Sequence, residues 1–241
     1  MRSNGLKLVA AAMLVSSVAS AQAQQADASR KVEGGGIFVQ GWMGTADAGG
    51  DSRGLTINDG KFASMGPGIH ITTGPAATYW NPANKASGDY TVKATFSEAK
   101  YMSLNDHPHP YGIMIGGNDL GTDQQSYLYC AAYGSGTFIV RGYGPPAAGG
   151  AAVPFQVNGR RGEANAAVNK AAGKDQPVKQ EIAMSVKGDK VECAINGTVV
   201  GSYNKADVVG AGKAKSTDGV WGIRIGHNAD VHVTGPTMSK P

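Results

Sequence analysis

The sequence predicts an all-β protein, an antiparallel two-sheet jelly-roll sandwich. Three observations carry this expectation. Aromatic and β-branched residues fall in short runs bounded by Gly, Asn and Asp, with 36 glycines in 241 residues, the pattern of many strands and tight turns. Several runs alternate apolar and polar residues with period two. Helix signals are scarce. The best, residues 163–172, has propensity for about three turns but little apolar surface.

The chain opens on a secretory signal pattern at residues 1–23. Arg2 and Lys7 precede the apolar run 8–18, and small residues follow around Ala19-Ser20-Ala21 and Ala21-Gln22-Ala23. That run is too short for a bilayer, which needs roughly 20 apolar residues. Export to the periplasm or beyond is the expectation. Losing Arg2 and Lys7 lowers the formal net charge from +4 to +2, too little to argue for nucleic acid or an anionic membrane. Basic residues are scattered, and Arg160-Arg161 is the only adjacent pair. Residues 24–35 read as an unstructured lead-in and 36–241 as one sandwich domain.

Strand signals follow in order. Residues 36–42 give a first candidate. Residues 55–57 and 61–63 flank Asn58-Asp59-Gly60, a hairpin-turn signal. Residues 68–72 form a short strand. In 90–96, Tyr90, Val92, Ala94 and Phe96 share one face. Residues 111–115 are apolar and framed by glycines. A hairpin joins 182–187 to 190–195 through Gly188-Asp189, its inner face pairing Ile182 with Ile195, Met184 with Cys193 and Val186 with Val191. Asn196-Gly197 turns the chain into 198–203, and 220–225 with 231–233 close the domain. Trp42 and Trp221 lie in strand patterns and read as core. A Gly/Ala/Pro-rich insertion fills 144–177, a length typical of functional or mobile loops.

The segment with most to say about function is 127–143. Folded about Gly134-Ser135-Gly136, it pairs residues whose numbers sum to 270. Leu128, Cys130, Ala132, Phe138 and Val140 form a core-like face. Tyr127, Tyr129, Ala131, Tyr133, Ile139, Arg141 and Tyr143 form the other. Tyr rings stack on sugar C–H faces, and their hydroxyls, with Arg, hydrogen-bond sugar hydroxyls, so this second face is a candidate ligand surface. Equally, it is a cross-strand aromatic ladder of the kind that stabilises sheets. Trp80, in Tyr79-Trp80-Asn81-Pro82, is a further stacking candidate on a loop. By contrast, the outer face of the 182–195 hairpin has no aromatic residue.

Gly112-Ile113-Met114-Ile115-Gly116-Gly117, Tyr127-Leu128-Tyr129, Gly136 to Arg141, Val186 to Val191, Ala194-Ile195-Asn196-Gly197 and Gly219 to Ile225 follow in a characteristic order. Over roughly residues 37–235 the chain resembles the concanavalin A-like lectin/glucanase superfamily. Its nearest branch is the exported laminin-G-like domains grouped with 3-keto-disaccharide hydrolases. The resemblance implies a carbohydrate ligand, and its glucanases imply an E-x-D-x-x-E strand. This chain has five glutamates, Glu33, Glu98, Glu163, Glu181 and Glu192, and no two are five apart. The carboxylate pair of glycoside hydrolysis is thus not legible. The superfamily analogy also implies a calcium option, for which Asn118, Asp119 and Asp123 would supply hard oxygens.

Two other constellations remain. Asp106, His107 and His109, between Asn105 and Pro110, form the best acid–base or metal loop, with Asp119 and Asp123 nearby in sequence. A catalytic zinc needs three protein ligands, and no third is identifiable; the spacing of His227 and His232 carries no metal signature. Cys130 and Cys193 both fall on core faces and form either a disulfide between sheets or two buried thiols. The sequence therefore points to an exported, non-catalytic carbohydrate- or glycan-binding sandwich. The alternatives are a periplasmic hydrolase of modified (3-keto) glycosides and a structural or adhesion module with a protein partner.

Overall fold

A computed structural model describes residues 28–48, 52–159 and 162–241. The signal segment 1–23 and the Arg160-Arg161 pair lie outside the described residues. In chain order the first strands are β1 (Gly36–Ile37), β2 (Met43–Ala46), β3 (Lys61–Met65), β4 (Gly68–Thr72), β5 (Ala77–Ala86), β6 (Tyr90–Glu98), β7 (Tyr111–Asn118) and β8 (Ser126–Tyr133). Then come β9 (Thr137–Gly144), β10 (Val153–Gln156), β11 (Glu163–Ala164), β12 (Val178–Lys187), β13 (Lys190–Ile195), β14 (Thr198–Asn204), β15 (Gly219–Ile225) and β16 (Asp230–Ser239). One sheet runs β1-β3-β4-β16-β6-β12-β13-β14, the other β10-β9-β8-β7-β15-β5-β2 with β11 also on β9. The chain is the expected antiparallel sandwich of two curled sheets.

Both hairpins adopt the expected register. Tyr127 pairs with Tyr143, Tyr129 with Arg141 and Cys130 with Val140. Ile182 pairs with Ile195 and Met184 with Cys193. Period two leaves little choice here, since a one-residue slip would turn every buried side chain outward. At the next turn Asn196 and Gly197 have φ of 51° and 82°, the two left-handed residues of a tight hairpin.

The inner faces meet in one large core. Phe62, Ile71, Val92, Phe96, Ile182 and Val191 come from the first sheet, and Tyr79, Ile113, Leu128, Val140, Trp221 and Ile225 from the second. Trp42 is partly buried and packs against this core, its ring 5.0 Å from that of Phe62. Cys130 on β8 and Cys193 on β13 bridge the two sheets as a disulfide, with Cα atoms 6.0 Å apart.

Several elements differ from the sequence expectation. Residues 55–57 are not a strand. Ile57–Asp59 is a 3-10 turn capped by Thr56, because the Asp59 carboxylate accepts from the Thr56 N–H at 2.7 Å and closes a local loop in place of a hairpin. Of the candidate strand 36–42, only Gly36–Ile37 pairs. The segment with helix propensity, 163–172, is not helical. Glu163–Ala164 pairs with β9, and Asn165 and Ala171 then donate to the carbonyls of Gly136 and Gly134. A segment without an apolar stripe gains nothing from helical packing, whereas the sheet edge offers its backbone partners. Trp80 lies within β5 rather than on a loop. Pro82 is tolerated there because neither neighbour pairs with it: β2 reaches only Trp80, and the β15 register breaks between Trp80 and Lys85. Within the expected lead-in, the Arg30 N–H donates to Asn228 Oδ1 at 3.0 Å and the Val32 N–H to the Asp59 carbonyl at 2.9 Å, so the chain is tied to the sandwich from residue 28 on.

Glu98 ends β6 in a buried position, with its Oε1 accepting from the Met102 N–H at 3.1 Å. Burial pushes its carboxyl up to about 7; the Met102 bond offsets part of this and the Asp230 charge adds to it.

Two stability predictions follow from these contacts. Cys130→Ala/Cys193→Ala opens a 63-residue separation and is expected to cost about 4 kcal/mol by loop entropy, read as a lower urea midpoint. An unchanged midpoint would contradict the bridge. For Glu98, the raised value means the folded state holds its proton more tightly, so stability is lost as pH rises from about 4.5 to about 7. Glu98→Gln keeps the acceptor and removes the charge. It is expected to be more stable than the parent at pH 8, by about 1–3 kcal/mol, with the gain vanishing near pH 4.5. An equal difference at both pH values would contradict the assignment.

Candidate functional site

The tyrosine face of the β8–β9 hairpin is an interior. Trp80, Met114, Tyr127, Tyr129, Ala131 and Ile139 are buried in a second, smaller core, with Leu120, Tyr133, Tyr143 and Val220 packed around them. Strand register aligns part of it: Trp80 lies across from Gly222, Gly222 from Met114, Met114 from Tyr129, and Tyr129 from Arg141. The loop after β7 covers this layer. Leu120 packs into it, and a Cβ added to Gly121 would stand 3.5 Å from the Trp80 ring. The 144–177 insertion braces that loop, and its Gly162 lies against Ile139 of the same face, where an added Cβ would stand 3.3 Å from the Ile139 side chain. The Ala152 N–H donates to the Asp123 carbonyl at 2.6 Å, and Gln124 Nε2 to the Gly150 carbonyl at 2.9 Å. Beyond it, β10 extends the sheet past β9.

A buried ion pair organises the layer. Arg224 projects from β15, and its Nη1 donates to Asp47 Oδ1 at 2.7 Å while its Nη2 bonds Asp47 Oδ2. The Arg224 side chain is 8% exposed and that of Asp47 22%. Nη1 also donates to Thr78 Oγ1 at 3.1 Å, and that hydroxyl lies 3.0 Å from the Tyr127 hydroxyl. The Tyr143 hydroxyl donates to Asp47 Oδ2 at 3.1 Å. The guanidinium sits 5.6 Å from the Tyr129 ring centre and 5.8 Å from that of Tyr143, within range of a cation–π attraction. Burial is the largest influence and works against the Arg224 charge, but Asp47 together with Tyr127 and Tyr143 holds the group well above its ordinary value. Burial likewise pushes the Tyr127 and Tyr143 hydroxyls up, keeping them neutral.

A cleft of about 740 Å³ opens where this layer reaches the surface. Thr45, Asp47, Asp123, Gln125, Tyr143 and Pro154 are among its lining residues, and His227 stands on its wall. Gln125 Oε1 is buried without a hydrogen-bond partner. Of the aromatic candidates read from the sequence, Tyr143 alone is among the lining residues. Tyr127, Tyr129 and Trp80 are buried, and Tyr133 and Arg141 are half-buried.

The second candidate loop is split. Asp106 is exposed and ion-paired with Lys174 at 3.2 Å. Asp119 is paired with Lys215 at 2.5 Å, and Asn118 Nδ2 donates to the Gly116 and Asp218 carbonyls. His107 and His109 do come together, and His227 joins them. Potential ligand atoms of all three lie within 4.8 Å of one another, with His107 exposed and the other two half-buried. The His109 and His227 rings meet edge to face at 4.0 Å, and His107 and His109 are 4.4 Å apart. Burial, then the His227 and His107 rings, push His109 down to about 3. Gly226 makes this meeting possible: its N–H donates to the Pro110 carbonyl at 2.7 Å, and a Cβ there would fall 2.8 Å from Pro110 Cδ and 3.0 Å from His109 Cβ.

Sequence reasoning missed Asp47, Arg224 and His227 as site residues. Arg224 sits in an otherwise apolar strand, Gly-Val-Trp-Gly-Ile-Arg-Ile. A charge in such a run was the available signal, because it needs a buried partner.

No family profile matches the chain, and no curated protein matches it. Solved structures do. A Bacillus subtilis protein of unknown function with a galectin-like fold aligns over 84% of this chain and 90% of its own, at 10% identity and a TM-score of 0.53. A carbohydrate-binding module, CBM66, from Bacillus subtilis covers 84% and 99% at 10% identity and a TM-score of 0.49. An endo-β-1,3-glucanase from Pyrococcus furiosus covers 83% and 88% at 13% identity and 0.48. The first likeness shows a galectin-like sandwich fold, and at such identity nothing beyond the fold.

The ion pair predicts an asymmetric response. Asp47→Ala strands a buried guanidinium and is expected to cost about 3–5 kcal/mol. Arg224→Met leaves a carboxylate that water can reach and costs less. Urea denaturation of both variants checks this, and equal costs would contradict it.

Proposed function

We propose that the chain is an exported, non-catalytic glycan-binding sandwich whose ligand occupies the rim cleft at Asp47 and Tyr143. One observation carries this: the cleft combines a Tyr143 ring held in place by its bond to Asp47 with polar groups from Thr45, Asp123 and Gln125. A sugar needs an apolar ring face to stack on and oriented hydrogen-bond partners around it, and the partly exposed Asp47 carboxylate offers it an acceptor. Binding is favoured over cleavage by the state of the carboxyls. Two carboxyls line the cleft, Asp47 and Asp123; Asp47 is engaged by both nitrogens of Arg224, which leaves one short of the pair that glycoside hydrolysis uses, and Glu98, the carboxyl raised into the range of a general acid, is not among the lining residues. The disulfide supports an oxidising compartment. Among the described residues no helix is long and apolar enough to cross a membrane.

A second reading, a hydrolase of modified (3-keto) glycosides, is favoured by His227, which links the cleft wall to the His107/His109 loop. Turnover of a 3-keto-disaccharide by the purified protein would select it.

The binding proposal is tested by a glycan array followed by calorimetry on the best ligand. Tyr143→Ala and Gln125→Ala are each expected to weaken binding by roughly tenfold, the scale of one or two lost polar and stacking contacts. Arg141→Ala, outside the cleft, is expected to leave it within about twofold. Loss of binding in Arg141→Ala with full binding in Tyr143→Ala would overturn the cleft assignment, and an array without hits would overturn the proposal.

A further inference from the structure

We propose that His107, His109 and His227 form a binding site for one divalent transition-metal ion of the zinc class, held at the edge of the cleft. Neither composition nor spacing announces it, since the third histidine is 118 residues beyond His109 in the sequence. The fold brings the three together. The 99–110 connection between β6 and β7 ends on Pro108-His109-Pro110, and the prolines restrict its backbone. The Gly226 N–H clamps Pro110, and the absence of a side chain at 226 lets the loop close on the end of β15. His227 therefore emerges directly against His109, with their rings 4.0 Å apart.

The chemistry of the donor set fits such an ion. Imidazole nitrogen suits zinc, copper and nickel and is a poor ligand for calcium or magnesium. Three imidazoles on one ion would place their nitrogens roughly 3.3 Å apart at zinc–nitrogen distances of about 2.0–2.1 Å. The observed spread of up to 4.8 Å closes to that by small ring movements, and His107 is exposed and able to make them. Outer partners are present as well, as ligating histidines require. Ser29 Oγ lies 3.3 Å from His227 Nδ1; when it accepts from that nitrogen, the ring's lone pair rests on Nε2. Nδ2 of the buried Asn105 meets His109 at Nε2; with the amide turned so that Oδ1 accepts from that nitrogen, the Nδ1 lone pair is left for the ion. Three protein nitrogens leave a fourth position for an exchangeable ligand. Because His227 is part of the cleft wall, an ion bound to it lies where an oxygen of a cleft ligand or a water could complete the shell.

A second histidine pair provides an internal control. His70 and His232 face each other across β4 and β16, 6.3 Å apart, but His70 Nε2 is committed to Asp230 at 2.7 Å, and no third imidazole joins them among the described residues.

The test uses the full mature protein without an affinity tag, stripped with chelator and titrated with zinc chloride by calorimetry, and with cobalt(II) chloride followed by visible absorption. One ion per chain is expected, with the intense visible bands of a tetrahedral cobalt centre. His107→Ala removes an exposed ring and preserves the fold. It and His227→Ala are expected to weaken zinc binding by at least about tenfold, while His70→Ala leaves it unchanged; circular dichroism confirms folding in each. Absence of saturable zinc binding in the parent, binding retained in both His107→Ala and His227→Ala, or binding lost in His70→Ala would each overturn the site.

Discussion

A guanidinium enclosed by aromatic rings needs a counter-charge within bonding distance, and the functional half of this molecule is arranged around meeting that need. Arg224 is planted in a strand whose other side chains are apolar. Its partner, Asp47, lies just beyond the far edge strand, β2. Satisfying Arg224 therefore draws the chain after β2 inward over the face of the sheet. Tyr143, from the opposite flank, reaches the same carboxylate. β2 and β9 lie five places apart in the strand order, so this contact fixes the curl of the sheet. Removing two charges from water costs several kcal/mol per ion, which the bidentate geometry, the Thr78 bond and the flanking rings offset. The specificity gained is positional: one arrangement of β2, β9 and β15 satisfies all the groups at once.

That constraint explains why an aromatic face does not become an open binding surface. Once Asp47 and Tyr143 meet, Trp80, Met114 and Tyr129 lie beneath them in a closed layer, and Leu120 finishes the cover. What reaches solvent is the rim, where Asp47 is still partly exposed. The same contact that seals the layer thus presents a ring and a carboxylate to the cleft in fixed orientation. On the other side of the core, the Cys130–Cys193 bridge fastens the tyrosine-bearing strand to the opposite sheet, so the hairpin is held from both faces.

Much of this was legible in the sequence where the information is local. The 127–143 and 182–195 hairpins could be registered residue by residue, because a period of two and a turn of known chemistry leave one solution. Cys130 and Cys193 could be placed on core faces for the same reason. The helix propensity of 163–172 came to nothing because, without an apolar stripe, it is a weak signal beside an unpaired sheet edge. Arg224–Asp47 and His109–His227 were illegible for a different reason. Each joins residues more than 100 positions apart, and only the closed fold reveals that a charge in one strand answers a charge beyond another. The cover over the tyrosines was hidden likewise, since nothing in Asp119 to Gln125 says which way that loop folds.

Where a sugar sits decides whether the rim cleft is the binding site. A crystal structure of the protein soaked in a concentrated oligosaccharide mixture measures this directly. The expected result is a sugar ring in the rim cleft against Tyr143, bonded to Asp47 or Gln125, with the 119–125 loop and the Arg224–Asp47 pair unmoved. A sugar stacked on Trp80 or Tyr129, with that loop displaced and the ion pair open, would contradict it.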